Sequence, residues 1–411
     1  MKTRNAGSSS WLFSGILIII AAAVIVTGSL IPGTVLAADV IKIGAVAPKT
    51  GPLAGGAAIT HWPNITLWVE QVNARGGLKL KNGMARLELI EYDDQTNPGE
   101  TIKAVQRLAT QDKVDFIVAP YGTGLNIASA PIFAKYGYPH IAVSAITDQV
   151  EKLTKLYPNL FFTLGDTTGF TESVEQILSK MRADGKIGNK IAMVNVADAF
   201  GIELAGSARP LFKKAGFEIV YDKSYPLGTQ DLSPVIKGAK ASNPDAFVAW
   251  SYPPDTFGLT QQAIIQNLDV KAFYTAVATC FPAYLGKFGT AIEGNLGAGG
   301  VNPDTPEMKA YMKAHKEITG KDADFWASAT TYAALQILEQ AIEGVGAVDR
   351  AAVIEYLKQN SFDTVLGDIT FDKQFNKKFW TVGQWQDGVF YGVASTGRPG
   401  EKPVRLKTGW K

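Results

Sequence analysis

The chain has 411 residues, a length that predicts two or three domains at roughly 100–200 residues each. Hydrophobic residues make up 46% of it, charged residues 19% and aromatic residues 10%, which is typical of a globular protein and excludes a disordered, collagen-like or coiled-coil chain. Lys and Arg number 40 against 38 Asp and Glu, so the chain has no large excess of positive charge with which to neutralise a phosphate backbone. No nucleic-acid partner is therefore predicted.

The N-terminal segment predicts export from the cytoplasm. Lys2 and Arg4 are the only charged residues before Asp39, and the stretch 11–26 is almost wholly apolar. A charged start followed by an apolar run and then by small residues is the pattern of a secretory signal peptide. We predict a signal peptide over 1–37 and a mature protein in the periplasm.

An uncleaved membrane anchor is the alternative, because the apolar run 11–31 is long enough to span a bilayer. Pro32 and Gly33 argue against it, since they break a helix just before the small residues that a signal peptidase recognises. Cleavage after Ala37 is expected, and cleavage after Ala38 also fits the pattern.

From residue 40 onward, short β-branched runs alternate with amphipathic stretches, which is typical of parallel βα units. The predicted strands are 40–47, 86–92, 114–119, 140–143, 190–194, 217–221, 246–250 and 272–275. The predicted helices between them include 64–74, 101–110, 126–136, 201–215 and 256–268.

A second βα block begins near Phe161, after a predicted loop over 153–159, so the pattern indicates two similar lobes. The C-terminal third has a different rhythm, with consecutive predicted helices over 306–320, 325–343 and 349–359. The last predicted strands, near 368–371 and 384–393, are expected to be antiparallel around a turn at 386–388.

The first block contains a candidate anion site where two neighbouring strands end. Gly122 and Gly124 allow close backbone approach, and the helix that follows begins with free N–H groups, so Thr123 and these amides can hold a carboxylate. The next strand ends with two more hydroxyls, those of Ser144 and Thr147. Ordinary capping and turn formation is the alternative interpretation of these residues.

The second block places aromatic residues at the ends of two strands. Phe200 follows one predicted strand, and Trp250 and Tyr252 follow another. Aromatic rings in such loops can face the first block, because loops seldom have a core to fill. Simple packing inside the second block is the alternative.

The sequence does not predict chemistry other than binding. Cys280 is the single cysteine, which excludes an intrachain disulfide and a cysteine-cluster metal site. The histidines His61, His140 and His315 do not have metal-ligand spacing, and the chain contains neither a G-x-S-x-G elbow nor a P-loop. We predict no catalytic residue, no metal and no cofactor, and the protein is not expected to be an enzyme.

Several segments resemble the branched-chain amino-acid-binding family of periplasmic solute receptors, which serve ABC importers. The resemblance begins with IKIGAVAPKTGPL from Ile41, VNARGGL from Val72 and YDDQTNP from Tyr92. It continues through 194–201, 250–268 and the segment TTYAALQ from Thr330, so it covers nearly the whole mature chain in order.

This resemblance implies an α/β protein with the type I periplasmic-binding-protein fold, in which two doubly wound lobes are joined by three crossovers and close on a ligand like a hinge. The crossovers are expected near Phe162, Ala298 and Gly367. The implied N-terminal lobe comprises 38–162 and 298–366, and the implied C-terminal lobe comprises 163–297 and 367–411.

The resemblance also implies positions for ligand contacts. The family's carboxylate-holding hydroxyl falls at Thr123. Its contacts to the head group and its aromatic lids fall at Ser144, Ala145, Ile146, Phe200 and Tyr252.

Departures from the family pattern bear on the ligand. Amino-acid receptors of the family carry a hydroxyl where this chain has Ile146, although Thr147 is one step further on. The acid that neutralises the ligand ammonium should lie in the loop 276–280, which contains none. Because an unpaired buried ammonium costs several kcal/mol, the site is predicted to bind α-amino acids poorly. His61 and Trp62 can add a ring and a hydrogen bond to a ligand without an amine.

The sequence thus predicts a periplasmic solute-binding protein of an ABC importer that captures a small carboxylate by hinge closure. An aromatic or hydrophobic acid is favoured as the ligand, and a branched-chain amino acid is the family default. The predicted ligand-binding residues are Tyr121, Thr123, Ser144, Ala145, Ile146, Thr147, Phe200, Trp250, Tyr252, Val277, His61 and Trp62.

The predicted partners are a small-molecule ligand and an inner-membrane ABC permease, and the protein is expected to be a monomer. Two alternatives differ in class. The same fold can serve as a ligand sensor for a chemoreceptor or regulatory partner, and a secreted hydrolase would need a nucleophile and a base that the sequence does not offer.

Overall fold

The structure, a computed structural model, describes residues 39–377, 381–395 and 402–410. The predicted signal peptide 1–37 and its cleavage site lie outside the described residues. Within the described residues, no helix has both the length and the apolar composition that crossing a membrane requires.

Strands and helices alternate along the described part of the chain. The strands are β1 (Asp39–Ala47), β2 (Leu78–Leu80), β3 (Gly83–Asp93), β4 (Phe116–Val118), β5 (His140–Ala142), β6 (Leu160–Phe162), β7 (Lys190–Val196), β8 (Glu218–Tyr225), β9 (Ala246–Trp250), β10 (Ala272–Thr275), β11 (Leu296–Ala298), β12 (Ser361–Thr364), β13 (Gly367–Thr370), β14 (Thr381–Gln386) and β15 (Val389–Ser395). The helices are α1 (Ala54–Thr60), α2 (Trp62–Ala74), α3 (Pro98–Arg107), α4 (Thr123–Lys135), α5 (Val150–Leu156), α6 (Thr167–Ala183), α7 (Ala199–Lys214), α8 (Ser233–Ala241), α9 (Pro253–Ile265), α10 (Pro282–Phe288), α11 (Pro306–Thr319), α12 (Ala327–Val345) and α13 (Arg350–Gln359).

The first sheet has the strand order β2-β3-β1-β4, with β1 parallel to both β3 and β4. Ile41, Ile43 and Ala45 of β1 pack in one core with Trp68 of α2, and Val46 packs in a second core on the opposite face. Because successive side chains of a strand point to opposite faces, β1 is buried on both sides, as is usual in parallel sheets covered by helices. The strands β5 and β6 form a separate parallel pair beside it.

The second sheet has the order β15-β14-β11-β10-β9-β7-β8. The strands from β8 to β11 are parallel, whereas β14 pairs antiparallel with β11 and with β15. Neighbouring strands stack Phe247 on Phe273, with ring centroids 5.1 Å apart. The antiparallel pair predicted around the turn at 386–388 is therefore confirmed, whereas the predicted strand near 368–371 corresponds to β13, which pairs with β12 in a separate sheet.

The chain passes three times between the two sheets. It leaves the β5–β6 pair after Phe162 for α6, which packs on α7, β14 and β15. It returns after Ala298 to α11, which packs on α2, and it crosses again between β13 and β14. We call the elements around the first sheet the first lobe and those around the second sheet the second lobe; the exact lobe boundaries given above remain a prediction.

Short elements account for the differences between predicted and observed structure. The predicted loop 153–159 contains the end of α5, which reaches Leu156. The helix α1, which is absent from the predicted helices, contains the glycine pair Gly55 and Gly56. Its Gly56 has a packing reason, because a Cβ atom there would lie 2.5 Å from the Tyr121 hydroxyl.

Candidate ligand-binding site

A cavity lies between the two lobes, where the parallel strands of both sheets end. It is lined by residues of both lobes. Six of the predicted residues line it: Tyr121, Ser144, Ile146, Phe200, Tyr252 and Val277. Gly122, expected at the candidate anion site for its close backbone approach, lines it too. The remaining lining residues were not predicted from the sequence; they are Thr60, Val143, Leu164, Phe170, Trp326, Ala327, Thr330 and Thr331.

The first-lobe side of the cavity is built on the backbone at the start of α4. Gly122 precedes this helix with φ 99° and ψ 150°, a conformation that only glycine adopts readily. Its N–H donates to the Ser144 Oγ over 2.9 Å, so the serine hydroxyl keeps its own proton for another acceptor. The first N–H groups of α4 have no acceptor inside the helix. We call Gly122, Thr123 and Ser144 the anion seat.

Thr123 lies behind the cavity wall and supports the loop that carries Ile146. Its hydroxyl is fully buried, donates to the carbonyl of Ile146 over 3.1 Å and accepts the Ile146 N–H over 3.1 Å. The side chain therefore ties the starts of two neighbouring loops together and does not line the cavity. This arrangement holds the backbone of the anion seat in place.

The loop after β5 presents Ile146 to the cavity and turns its neighbours away. Ala145 is fully buried and does not line the cavity. Thr147 is fully buried too, and its Oγ accepts the Gln149 N–H over 3.1 Å. The hydroxyl of Thr147 thus caps a turn, and the apolar side chain of Ile146 stands at the cavity wall.

Aromatic rings form the second-lobe side of the cavity. Phe200 and Tyr252 stack with centroids 4.7 Å apart and planes inclined by 26°. Phe170 stands edge-on to Phe200 at 6.5 Å. Trp250 is fully buried behind Phe170, with ring centroids 5.8 Å apart, and it does not line the cavity. Trp250 therefore supports the aromatic wall from inside the second lobe.

His61 and Trp62 lie behind the cavity at the junction of α1 and α2. His61 is fully buried and edge-on to the Tyr121 ring at 6.3 Å, and burial lowers its pKa to about 3, so it is neutral at physiological pH. Trp62 donates its Nε1–H to the Pro48 carbonyl over 3.3 Å. Neither side chain lines the cavity.

The start of α12 forms a part of the wall that strand-end patterns did not reveal. Asp324 accepts the N–H groups of Trp326 at 2.8 Å, Ala327 at 2.6 Å and Ser328 at 2.8 Å, and this capping places the Trp326 side chain at the cavity. The buried thiol of Cys280 also donates to Asp324, with a sulfur to oxygen distance of 3.4 Å. Burial raises the pKa of Asp324, whose oxygens all have donors.

A second carboxyl group stands beside the aromatic wall. Asp198 caps α7 by accepting the Gly201 N–H over 3.0 Å. The hydroxyl of Tyr252 lies close to the anion seat, since a Cβ atom at Gly122 would be 3.7 Å from its oxygen. Burial raises the pKa of Asp198, and it raises that of the neighbouring Asp255 to about 7.

Residues 40–388 match the sequence profile of a family described as periplasmic binding protein. The chain belongs to this family. It is 25% identical over 380 residues to the Leu/Ile/Val-binding protein homolog 7 of Brucella suis, an alignment that covers 88% of this chain and 92% of the relative. The resemblance drawn from the sequence is confirmed.

Solved structures of the same architecture include receptors for two kinds of ligand. A branched-chain amino acid transporter substrate binding protein from Streptococcus pneumoniae, in complex with isoleucine, is 22% identical with a TM-score of 0.74 and covers 87% of this chain and 100% of its own. An ABC transporter solute binding protein from R. palustris, in complex with 4-hydroxybenzoate, is 22% identical with a TM-score of 0.73. Its alignment covers 91% of this chain and 98% of the R. palustris chain. At this identity the likeness establishes the fold, and the predicted type I periplasmic-binding-protein fold is confirmed.

Proposed function

We propose that this periplasmic binding protein captures a small carboxylate with an aromatic or hydrophobic body and delivers it to an inner-membrane ABC permease. The observation that carries the proposal is the division of the cavity into an apolar part and an anion seat. The rings of Phe170, Phe200 and Trp326 form the apolar part, and backbone amides with the Ser144 hydroxyl form the other. Such a cavity suits a molecule that is apolar at one end and an acceptor at the other.

The anion seat supplies hydrogen bonds and a partial positive charge without a cationic side chain. The Ser144 hydroxyl can donate to a ligand oxygen, and the N-terminus of α4 carries the positive end of the helix dipole. Each hydrogen bond to a charged group contributes about 1.5–3 kcal/mol. One such bond from Ser144, together with burial of the apolar part of the ligand, favours binding of a carboxylate.

An ammonium group has no evident partner in the cavity. Among the lining residues, all of which belong to the described part of the chain, none carries a charge. Asp324 is saturated by backbone N–H groups and Ser328, and Asp198 accepts the Gly201 N–H. Burying an unpaired ammonium costs several kcal/mol, which disfavours an α-amino acid relative to a simple acid.

Binding proceeds without chemistry, by closure of the lobes over the ligand. Glu203 of α7 accepts the Asp148 N–H at 3.2 Å and the Gln149 side-chain N–H at 3.0 Å, which joins the second lobe to the first at the rim of the cavity. A ligand that contacts both walls stabilises the closed form, because it binds that form more tightly than the open one. The permease would recognise the closed form.

The test is a thermal-shift and calorimetric screen of the mature protein. Benzoate, 4-hydroxybenzoate and phenylacetate should raise the melting temperature in proportion to the logarithm of their concentration. Leucine and isoleucine should bind at least about tenfold more weakly, a difference of about 1.4 kcal/mol. Benzamide serves as the matched probe without a negative charge. Tight binding of leucine or isoleucine would contradict the preference for an acid without an amine.

The cellular part of the proposal has its own test. Fractionation should find the mature protein in the periplasm with an N-terminus at Ala38 or Asp39. Deletion of the gene should abolish uptake of the radiolabelled acid identified in the screen at low external concentration. Unchanged uptake, with loss of a chemotactic response instead, would favour the sensor function.

A further inference from the structure

We propose that the cavity also recognises a hydroxyl group on the ring of the ligand, para to the carboxylate, and that the hydroxyls of Thr60, Thr330 and Thr331 accept its hydrogen bond. We call these three residues the threonine cluster. This inference rests on the proposed function, since it concerns a ligand whose carboxylate lies at the anion seat. It narrows the ligand class to aromatic acids that carry a hydrogen-bond donor at the para position.

The hydroxyls of the threonine cluster already donate their protons to helix carbonyls. Thr60 Oγ donates to the Gly56 carbonyl over 3.2 Å. Thr330 Oγ and Thr331 Oγ both donate to the carbonyl of Ala327, over 2.8 Å and 3.0 Å. A hydroxyl has one proton and two lone pairs, so each of these oxygens remains an acceptor. The threonine cluster therefore suits a ligand group that donates a hydrogen bond.

The threonine cluster lies where the end of α1 meets the first turns of α12. These helices pack on each other, and the Ser328 hydroxyl lies 3.3 Å from the carbonyl oxygen of Ile59, the residue before Thr60. All three threonines line the cavity and are buried. A ligand hydroxyl in this place loses its contact with water, so it depends on the threonine cluster for a hydrogen-bond partner.

Tyr121 connects the anion seat with the threonine cluster and sets the distance between them. Its backbone precedes Gly122, whose N–H donates to Ser144. Its hydroxyl lies at α1, where a Cβ atom on Gly56 would be 2.5 Å from it. Thr60 is one helical turn further along α1. The anion seat and the threonine cluster are therefore separated by the length of a tyrosine side chain, which is itself a para-substituted phenol.

An aromatic acid with a para-hydroxyl group spans this distance in the same way. When its carboxylate binds at the anion seat and its ring lies beside Tyr121, its hydroxyl reaches the threonine cluster. The amine of an α-amino acid is attached to the carbon next to the carboxylate, so it does not reach that far. A ring without a donor fills the same space and leaves the acceptors without a hydrogen bond. The para substituent should therefore decide which aromatic acid binds most tightly.

The first experiment is calorimetry of the mature wild-type protein with 4-hydroxybenzoate, 4-fluorobenzoate and benzoate. Fluorine is close to a hydroxyl in size and has no proton to donate, and benzoate lacks the substituent. Because a phenol is neutral at pH 7, the three ligands carry the same charge. We expect 4-hydroxybenzoate to bind about threefold to thirtyfold more tightly than the other two, which corresponds to one or two net hydrogen bonds.

The second experiment repeats these titrations with the double variant Thr330→Val and Thr331→Val. It removes two acceptors and nearly keeps the shape of the side chains, so the preference for 4-hydroxybenzoate over benzoate should shrink at least about threefold. The double variant Thr330→Ser and Thr331→Ser keeps both hydroxyls and should keep the preference.

Thr101→Val is the matched control for the valine variants. Thr101 is buried in α3 and its Oγ donates to the Asn97 carbonyl over 3.0 Å, but it does not line the cavity. This variant should keep the wild-type preference. A purely structural role of the threonine cluster would lower the affinities for 4-hydroxybenzoate and benzoate equally, so the ratio of the two affinities distinguishes recognition from folding.

The wild-type titrations test the inference even if the double valine variant does not fold. Binding of 4-hydroxybenzoate no tighter than that of benzoate and 4-fluorobenzoate would overturn the inference and leave the proposed function intact. An unchanged preference in the folded double valine variant would overturn it as well. Absence of binding by every aromatic carboxylate would overturn the proposed function and this inference with it.

Discussion

The two walls of the cavity are built by different means. On the first-lobe side, Gly122 and Thr123 act through the backbone, and the hydroxyls of Thr123 and Ser144 hold that backbone in place. On the second-lobe side, the stacked rings of Phe200 and Tyr252 act through their surfaces. A wall of hydrogen-bonded backbone fixes the position of a bound anion. A wall of side chains can adjust to the shape of the apolar part of the ligand.

The buried carboxyl groups behind the two walls also differ, in how completely their oxygens are hydrogen-bonded. Asp324, near the first-lobe wall, has a hydrogen-bond donor at each oxygen. Asp255, near the second-lobe wall, is equally buried but accepts a backbone N–H only at the Oδ2. Burial raises the pKa of both, so ionisation costs stability at both, but the donors at each oxygen of Asp324 offset more of that cost. Burial alone therefore does not determine what an acidic residue does.

The largest expected effect comes from breaking the backbone wall with Gly122→Ala. A side chain at φ 99° is strained by about 1–3 kcal/mol, and its Cβ would lie 3.2 Å from Leu53. Displacing the N–H of Gly122 and the Ser144 hydroxyl removes two hydrogen bonds at the anion seat, so affinity for benzoate should fall at least about 100-fold. Calorimetry measures the affinity and urea unfolding measures the stability.

Gly137→Ala is the matched control for this substitution. Gly137 follows the other end of α4 with φ 69°, and nothing lies within 4 Å of a Cβ there. It should cost about 1–2 kcal/mol of stability and leave affinity unchanged. An equal loss of affinity in both variants would mean that helix stability, and not the anion seat, controls binding.

A second prediction concerns the pH dependence of folding through Asp255. Its pKa is raised by burial from 3.8 to about 7, so between these values the folded protein keeps a proton that the unfolded chain releases. The free energy of unfolding should therefore decrease as pH rises from about 4 to 7 and stay low above it. Asp255→Asn should stabilise the protein at pH 8 by about 2–4 kcal/mol and have no such effect below pH 4.

The corresponding substitution at Asp324 is expected to change stability in the opposite direction. Asp324→Asn loses acceptor capacity toward backbone N–H groups and should destabilise the protein at pH 8 by about 1–3 kcal/mol. Urea unfolding of both variants across the pH range measures the two effects. Changes of the same sign would contradict the distinction between saturated and unsaturated carboxyl groups.

A third prediction tests the hydroxyls at the strand ends. Ser144→Ala removes the acceptor of the Gly122 N–H and the donor to the ligand, so benzoate affinity should fall about tenfold to thirtyfold. Thr147→Ala removes a hydroxyl that caps a turn outside the cavity and should change affinity by less than about threefold. A larger loss of affinity in Thr147→Ala than in Ser144→Ala would mean that Thr147, and not position 146, supplies the family's hydroxyl to the ligand.

The smallest expected effect belongs to Trp62. Trp62→Phe removes the hydrogen bond to the Pro48 carbonyl and should cost about 0.5–1.5 kcal/mol of stability. Benzoate affinity should change by less than about twofold, because the side chain does not line the cavity. A loss above tenfold would return Trp62 to the set of ligand-binding residues.

Much of the fold could be predicted from local patterns. The predicted strands 246–250 and 272–275 coincide with β9 and β10, because continuous apolar runs of this length are typical of strands buried on both faces. Three-residue strands such as β6 and β11 have too few positions to show a period. They exist because neighbouring strands already offer hydrogen bonds.

The site was predicted less completely, for a physical reason. Strand-end patterns point to Ser144 and Tyr252, which line the cavity. They do not reveal Trp326, since its position depends on the cap that Asp324 provides, nor the proximity of Tyr252 to Gly122, two residues far apart in the chain. They also do not distinguish an aromatic ring that lines the cavity from one buried behind the cavity wall. Trp250, which was predicted to contact the ligand, lies behind Phe170.

The complete burial of Cys280 has a practical consequence. Because it is the single cysteine of the chain and is shielded from solvent, a thiol introduced elsewhere would be the only one that a maleimide dye can reach. Ile202, which is 53% exposed beside the Glu203 contact, is a suitable place for it. The protein thus lends itself to conversion into a fluorescent biosensor whose brightness follows the solute.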